Sequence, residues 1–127
     1  MKNLFVTYEL ALLAKEKGFD ELCLSKIRDT GELLINGDWY RSSDINVPTR
    51  EQLLDWFREE HDINVGVFPM YTQEDNYETC WGWNIIELKW GIDKEHHIAN
   101  YVSAREYGLS YYEALTIALT EAFKLIP

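Results

Sequence analysis

Apolar residues recur with helical spacing in three segments of the chain, and each segment follows a residue that caps helices. The three capping residues are Thr7, Thr49 and Ser110, whose hydroxyls can accept a hydrogen bond from an unpaired backbone N–H of the first turn. Gln52 and Glu113 stand three residues after the second and third caps, which is the pattern of a capping box. The sequence therefore predicts three helices. The apolar face of the third consists of Ala114, Leu115, Ala118, Leu119, Ala122 and Phe123.

Between the first two helices the apolar period changes to two, which indicates strands. Two short apolar segments are joined by a polar connection at 28–30, and this arrangement predicts a hairpin. The pair Asn36-Gly37 is a strong turn signal, and a third short strand is predicted to return through Trp39 and Tyr40. We therefore expect the first three strands to form a meander.

Three further strands are predicted after the second helix, at 63–71, 80–90 and 96–104. The resulting order is α-β-β-(β)-α-β-β-β-α. This order favours an α+β fold in which one antiparallel sheet of five to six strands carries three helices on one face. No linker, repeat or low-complexity tract interrupts the pattern, so we expect a single domain over residues 1–127.

The strand at 80–90 is unusually aromatic, and its two faces differ. Trp81 and Trp83 begin the odd-numbered face, whereas the even-numbered face ends in an apolar trio of Ile86, Leu88 and Trp90. We expect the even-numbered face to pack against the helices. Trp81 and Trp83 would then form a partly exposed aromatic surface, unless a loop or a second subunit covers them.

Four aromatic residues are therefore the candidate binding residues: Trp81, Trp83, Tyr71 and Tyr77. Tryptophan and tyrosine are enriched at the energetic centres of protein interfaces, so a protein partner is the leading interpretation. A small aromatic ligand or metabolite, held in an apolar pocket between these rings, is the alternative. An unpaired strand at the edge of such a sheet also allows a homodimer.

The residues that carry catalysis or bind metals are sparse. His61 falls at the end of the second helix, where a cation complements the helix dipole. His96 and His97 are adjacent, so on a strand they point to opposite faces and cannot readily share one metal ion. Nucleophile-elbow, dinucleotide and phosphate-loop motifs are absent. No catalytic residue, metal ligand or cofactor is predicted, and an enzyme with an unrecognised site is a further alternative.

Charge limits the classes of partner. The chain has 22 acidic and 12 basic residues, for a net charge of -10 at pH 7. This balance argues against general binding of nucleic acids, which requires clustered Lys and Arg. No segment approaches the length of ~20 apolar residues that a membrane-spanning helix needs. We therefore expect a cytoplasmic protein that binds neither nucleic acid nor membrane.

Three stretches carry a resemblance to a known group of proteins. They are "FVTYELALLAKEKGFDE", "PTREQLLDWFREEHDINV" and "YYEALTIALTEAFKLI", and they contain the patterns Y-E-x-A-x-x-x-K-E-K-G-F-D, D-W-F-R-E-x-H and Y-x-E-A-L. In this order they resemble small proteins of unknown activity encoded by phages and prophages of gut Bacteroidetes-type bacteria. The resemblance covers about half of the chain and implies a phage origin and an accessory role. The leading hypothesis is therefore a non-catalytic, phage-derived interaction protein that acts on a host protein.

Overall fold

The computed structural model describes residues 4–28, 30–35, 44–71, 79–90, 96–106 and 110–127. Three helices and six strands lie in these ranges and confirm the predicted α+β class and element order. They are α1 (Tyr8–Glu16), β1 (Ser25–Ile27), β2 (Leu33–Ile35), β3 (Ile45–Val47), α2 (Arg50–His61), β4 (Ile63–Tyr71), β5 (Thr79–Trp90), β6 (His96–Glu106) and α3 (Tyr111–Phe123).

The strands form two antiparallel sheets of three strands, with the orders β2-β1-β3 and β4-β5-β6. The single sheet of five to six strands is therefore not confirmed. The observed third strand, β3, is not the predicted one, and β1 is the central strand of the first sheet, where it pairs with both β2 and β3. The turn at Asn36-Gly37 and the strand through Trp39 and Tyr40 lie outside the described residues.

All three helices begin at the predicted caps. The hydroxyls of Thr7, Thr49 and Ser110 each accept a hydrogen bond from the backbone N–H three residues later. In α3 the capping box is complete, since the Glu113 carboxylate also accepts from the Ser110 N–H at 3.1 Å. Local sequence therefore determines where each helix starts.

The predicted capping box of α2 is only half formed. Its cap, Thr49, accepts from the Gln52 backbone N–H at 3.1 Å. The Gln52 side chain turns away and donates to the Leu22 carbonyl oxygen at 2.9 Å. This contact ties the first turn of α2 to the segment that leads into β1.

The main core lies between the helices and one face of the β4-β5-β6 sheet. Here the structure reverses the predicted orientation of β5, because Trp83 and Ile85 on the odd-numbered face are 4% and 0% exposed and belong to the core. The register explains the reversal. Trp83 lies opposite Val67 and Ile85 opposite Val65, so these residues share the helix-facing side of the sheet. Ile86 is only half-buried on the other side.

Candidate functional site

The four candidate binding residues do not form one surface. Trp83 is buried in the core, whereas Trp81 is half-buried near the start of α3. Tyr71 ends β4 opposite Thr79, and its side chain lies outside the described part of the structure, as does all of Tyr77. Trp81 is therefore the one residue of the four whose side chain the structure places at a surface.

Trp81 is the first member of a connected series of side chains. Its ring contacts Tyr111 edge-on, with centroids 5.4 Å apart, and Tyr111 contacts Tyr112 in the same manner at 5.3 Å. The Arg50 guanidinium carbon lies 4.5 Å from the centroid of the Tyr112 ring, a cation-π contact. We call Trp81, Tyr111, Tyr112 and Arg50 the aromatic-arginine cluster. Tyr112 is its most exposed ring, at 39%.

The beginnings of the three helices position this cluster. The segments that lead into α1 and α2 are joined, since Phe5 forms a β-bridge with Thr49 and the Val6 N–H donates to the Pro48 carbonyl oxygen at 3.1 Å. Arg50 is then the first residue of α2. The first two residues of α3 supply the tyrosines of the cluster, and β5 supplies the tryptophan.

A surface groove of about 430 Å³ lies beside the cluster, between the first turns of these helices. We call it the N-terminal groove. It is lined by Thr7, Arg50, Tyr112, Glu113, Thr116 and Ile117. Arg50 is the one cationic side chain among these described lining residues. The Glu113 carboxylate is engaged in the capping box of α3, where it accepts from the Ser110 N–H.

The electrostatic state of Arg50 follows from its half-buried position. Burial lowers the pKa of the guanidinium, and the neighbouring Tyr112 and then Tyr111 raise it by smaller amounts. An arginine remains protonated in proteins near neutral pH despite such shifts. The groove therefore has the positive charge of Arg50 as well as the negative charge of the Glu113 carboxylate in its lining.

A second cavity, of about 540 Å³, lies between the end of α1 and the first sheet. It is lined by Lys15, Gly18, Phe19, Asp20, Lys26, Asp44, Ile45 and Asn46. Its lysines and aspartates balance one another in charge. The buried Asn46 Oδ1 accepts no hydrogen bond within the described part of the chain. The lining of this cavity is about equally polar and apolar, and Phe19 is the one aromatic residue among those described in it.

The residues considered for catalysis do not converge. The His61 ring packs edge-on against Trp56 at 4.7 Å, as part of the aromatic core of α2. The side chains of His96 and His97 lie outside the described part. Among the described residues, no group of three or more His, Cys, Asp and Glu side chains is arranged to hold a metal ion. None of the helices in these ranges has the length and apolar character needed to cross a membrane.

Sequence reasoning missed Arg50, Tyr111 and Tyr112. A signal for the tyrosines was present, because consecutive helical residues point about 100° apart. Two adjacent large aromatic side chains in a first turn therefore cannot both face the same core. The contact with Arg50 carried no such signal, because it joins two helices that are distant in sequence.

No protein-family model, curated protein or solved structure matches this chain. Function therefore has to be inferred from the aromatic-arginine cluster, the N-terminal groove and the charges around them.

Proposed function

We propose that this chain is a non-catalytic binding protein that recognises a protein partner through the aromatic-arginine cluster. The observation that carries the proposal is the unbroken series of contacts from Trp81 through Tyr111 and Tyr112 to Arg50. Tryptophan, tyrosine and arginine are the residue types that dominate binding energy at protein interfaces. Here they are held together on the first turns of two helices and on β5, and such placement on regular elements lowers the entropy lost on binding.

The wider biological setting is part of the same proposal. We place the protein in the cytoplasm of a bacterial cell, as a phage-derived factor that acts on a host protein. The net charge of -10 supports a partner with a basic surface, because opposite charge accelerates encounter. The resemblance to phage and prophage proteins supports the origin.

A second copy of the chain is a further partner that we propose, through β6. This strand pairs with β5 on one side, and within the described ranges no strand pairs with its other side. Tyr101 is 58% exposed on one face of β6, and Val102 is 36% exposed on the helix-facing side. Exposed edge strands favour pairing between chains. Sedimentation equilibrium should detect dimers that a Val102→Lys substitution weakens, and a strictly monomeric wild type would refute this interface.

The small-molecule alternative is supported by the volume of the N-terminal groove. About 430 Å³ lies within the range of roughly 300 to 1,000 Å³ that is usual for ligand sites. A panel of aromatic metabolites should then raise the thermal unfolding midpoint of the wild type but not that of Tyr112→Ala. A ligand that stabilises both proteins equally would bind elsewhere.

The test of the leading proposal is affinity capture from bacterial lysate with matched variants. Tyr112→Ala removes the exposed ring of the cluster, Arg50→Ala removes its half-buried guanidinium, and Phe68→Ala removes an exposed ring on β4, away from the cluster. We expect the wild type and Phe68→Ala to retain the same protein, and the two cluster variants to lose it. Equal recovery by all four proteins would refute the role of the cluster.

A further inference from the structure

We infer that the partner of the aromatic-arginine cluster presents a proline-rich segment with basic flanks, in the polyproline II conformation, which packs against the rings of the cluster and into the N-terminal groove. This inference rests on the proposed function and specifies the chemistry of the partner. It follows from the arrangement of the rings, from the hydrogen-bond donors that they carry and from the acidic residues around them.

The three rings of the cluster form an aromatic surface. Trp81, Tyr111 and Tyr112 are each partly accessible, and the centroids of successive rings lie 5.4 and 5.3 Å apart. A polyproline II helix has three residues per turn, so residues i and i+3 lie on the same face about 9 Å apart. One such turn is comparable in length to a series of three rings joined by two of these contacts. Aromatic-lined surfaces are the usual docking sites of proline-rich segments.

The N-terminal groove continues this surface from Tyr112. Its lining is mainly apolar, with a volume of about 430 Å³. A cavity of about 150 Å³ is large enough for benzene, so a five-membered pyrrolidine ring fits in the groove. Arg50 lies over the Tyr112 ring, 4.5 Å from its centroid, and orients that ring. An apolar occupant needs no further contact from the guanidinium.

The donors on the rings are complementary to a segment that supplies acceptors. No hydrogen bond within the described ranges engages the Trp81 indole N–H or the hydroxyls of Tyr111 and Tyr112. The Thr7 hydroxyl and the Glu113 carboxylate at the groove already accept hydrogen bonds in the caps of α1 and α3. Proline has no backbone N–H, and a polyproline II helix makes no internal hydrogen bonds, so its carbonyl oxygens are free to accept. The cluster therefore matches a proline-rich backbone better than one rich in N–H donors.

The surrounding acidic residues select the flanks of the segment. Each helix has one glutamate in its first turn, namely Glu9, Glu51 and Glu113, and all three are exposed. Together with the net charge of -10, they attract lysine or arginine and repel carboxylates. A proline-rich segment between basic residues is therefore complementary to the site, whereas one between acidic residues is not.

The inference can be tested with three fluorescein-labelled peptides. They are Lys-Pro-Pro-Pro-Pro-Pro-Pro-Lys, the same peptide with alanine at all six proline positions, and the proline peptide with glutamate in place of both lysines. Fluorescence anisotropy at low ionic strength gives the dissociation constant of each. We expect the wild type to bind the basic proline peptide about tenfold or more tightly than the alanine peptide, because the charges are equal and only the proline peptide is rigid in the bound conformation. The acidic proline peptide should bind more weakly than the basic one, by a factor that shrinks as salt is added.

Variants of the cluster locate the binding site. Tyr112→Ala and Trp81→Ala should each weaken binding of the basic proline peptide about tenfold, since each removes a ring that contacts it. Tyr112→Phe keeps the ring and loses the hydroxyl, so its affinity should fall between those of the wild type and Tyr112→Ala. Phe68→Ala, which removes an exposed ring on β4, should behave as the wild type. Thermal unfolding of each variant excludes loss of the fold as the cause.

Equal affinity of the wild type for the proline and alanine peptides, or no binding of the basic proline peptide at millimolar concentration, would overturn the inference. So would undiminished affinity in a folded Tyr112→Ala variant. Equal affinity for the basic and acidic proline peptides would refute the basic flanks. The proposed function fails separately, if Tyr112→Ala and Arg50→Ala still capture the lysate partner. Loss of capture without any preference for proline would leave the binding surface in place and refute only the proline-rich segment.

Discussion

Replacement of Trp83 by alanine tests the orientation of β5. The indole is 4% exposed and packs within the core formed by the helices and the β4-β5-β6 sheet. Truncation of a buried tryptophan removes its transfer free energy and leaves a cavity, which together amount to about 3 to 5 kcal/mol. Because domains have a free energy of unfolding of roughly 5 to 15 kcal/mol, this change is a large part of the total.

Trp83→Phe distinguishes the contribution of the buried apolar ring from that of the indole N–H group. The buried Trp83 Nε1 has no hydrogen-bond partner among the described residues, and an unpaired buried donor costs about 1 to 3 kcal/mol. Phenylalanine removes that donor and keeps most of the apolar surface. The gain offsets part of the smaller ring's lost packing, so we expect Trp83→Phe to lower the free energy of unfolding by less than about 2 kcal/mol.

Urea denaturation, monitored by circular dichroism, gives the free energy of unfolding of both Trp83 variants from the midpoint and the slope of the transition. Trp81→Ala is the matched control, because Trp81 lies on the same face of β5 but is half-buried. It should lose less free energy of unfolding than Trp83→Ala. A loss below about 1 kcal/mol for Trp83→Ala, with an unchanged slope, would refute the buried position and would restore an exposed surface at this indole.

Three further changes test other parts of the structure. Leu119→Ala, at a fully buried position of α3, should lower the free energy of unfolding by about 2 to 5 kcal/mol in urea, and a smaller loss would contradict its place in the core. Ser110→Ala removes the capping box and should lower it by about 1 kcal/mol, whereas a neutral result would mean that the cap is redundant. Burial, with a smaller contribution from the charge of Glu21, raises the pKa of the Cys23 thiol from 9.0 to about 11. The stability that this shift contributes is complete below pH 9 and is lost as the pH rises to 11, so the urea midpoint should fall further over that window in the wild type than in Cys23→Ala. Parallel pH profiles of the urea midpoint in the two proteins would contradict the raised pKa of Cys23.

The features that the sequence predicted correctly are local ones. Each helix cap, at Thr7, Thr49 and Ser110, accepts a hydrogen bond from a backbone group three residues away. The few residues around each cap therefore contain nearly all the information about where the helix starts. The order of the first sheet was not predictable in this way, because β1 pairs with β3 across about twenty residues. Short strands do not specify such a partner by their own pattern.

The orientation of β5 failed for a related reason. Taken alone, its even-numbered face has the longer apolar run, but in the sheet Trp83 shares a face with Val67 and the other alternating apolar residues of β4. The helices cover the face on which both strands are apolar. The contact between Arg50 and Tyr112 depends in addition on how two helices pack, so composition and spacing could indicate that aromatic residues matter but not which of them meet.

The hydrogen bond from the Val6 N–H to the Pro48 carbonyl oxygen makes one wall of the groove dependent on the segment that leads into α1. Thr7, which follows immediately, lines the groove, so transient detachment of this segment would dismantle the groove and withdraw the buried side chains of Phe5 and Val6 from the core. Binding of a ligand in the groove and detachment of this segment would then be mutually exclusive. Deuterium uptake at the Val6 amide would slow in proportion to the fraction of molecules that hold a ligand, and this single backbone position could report occupancy without any label.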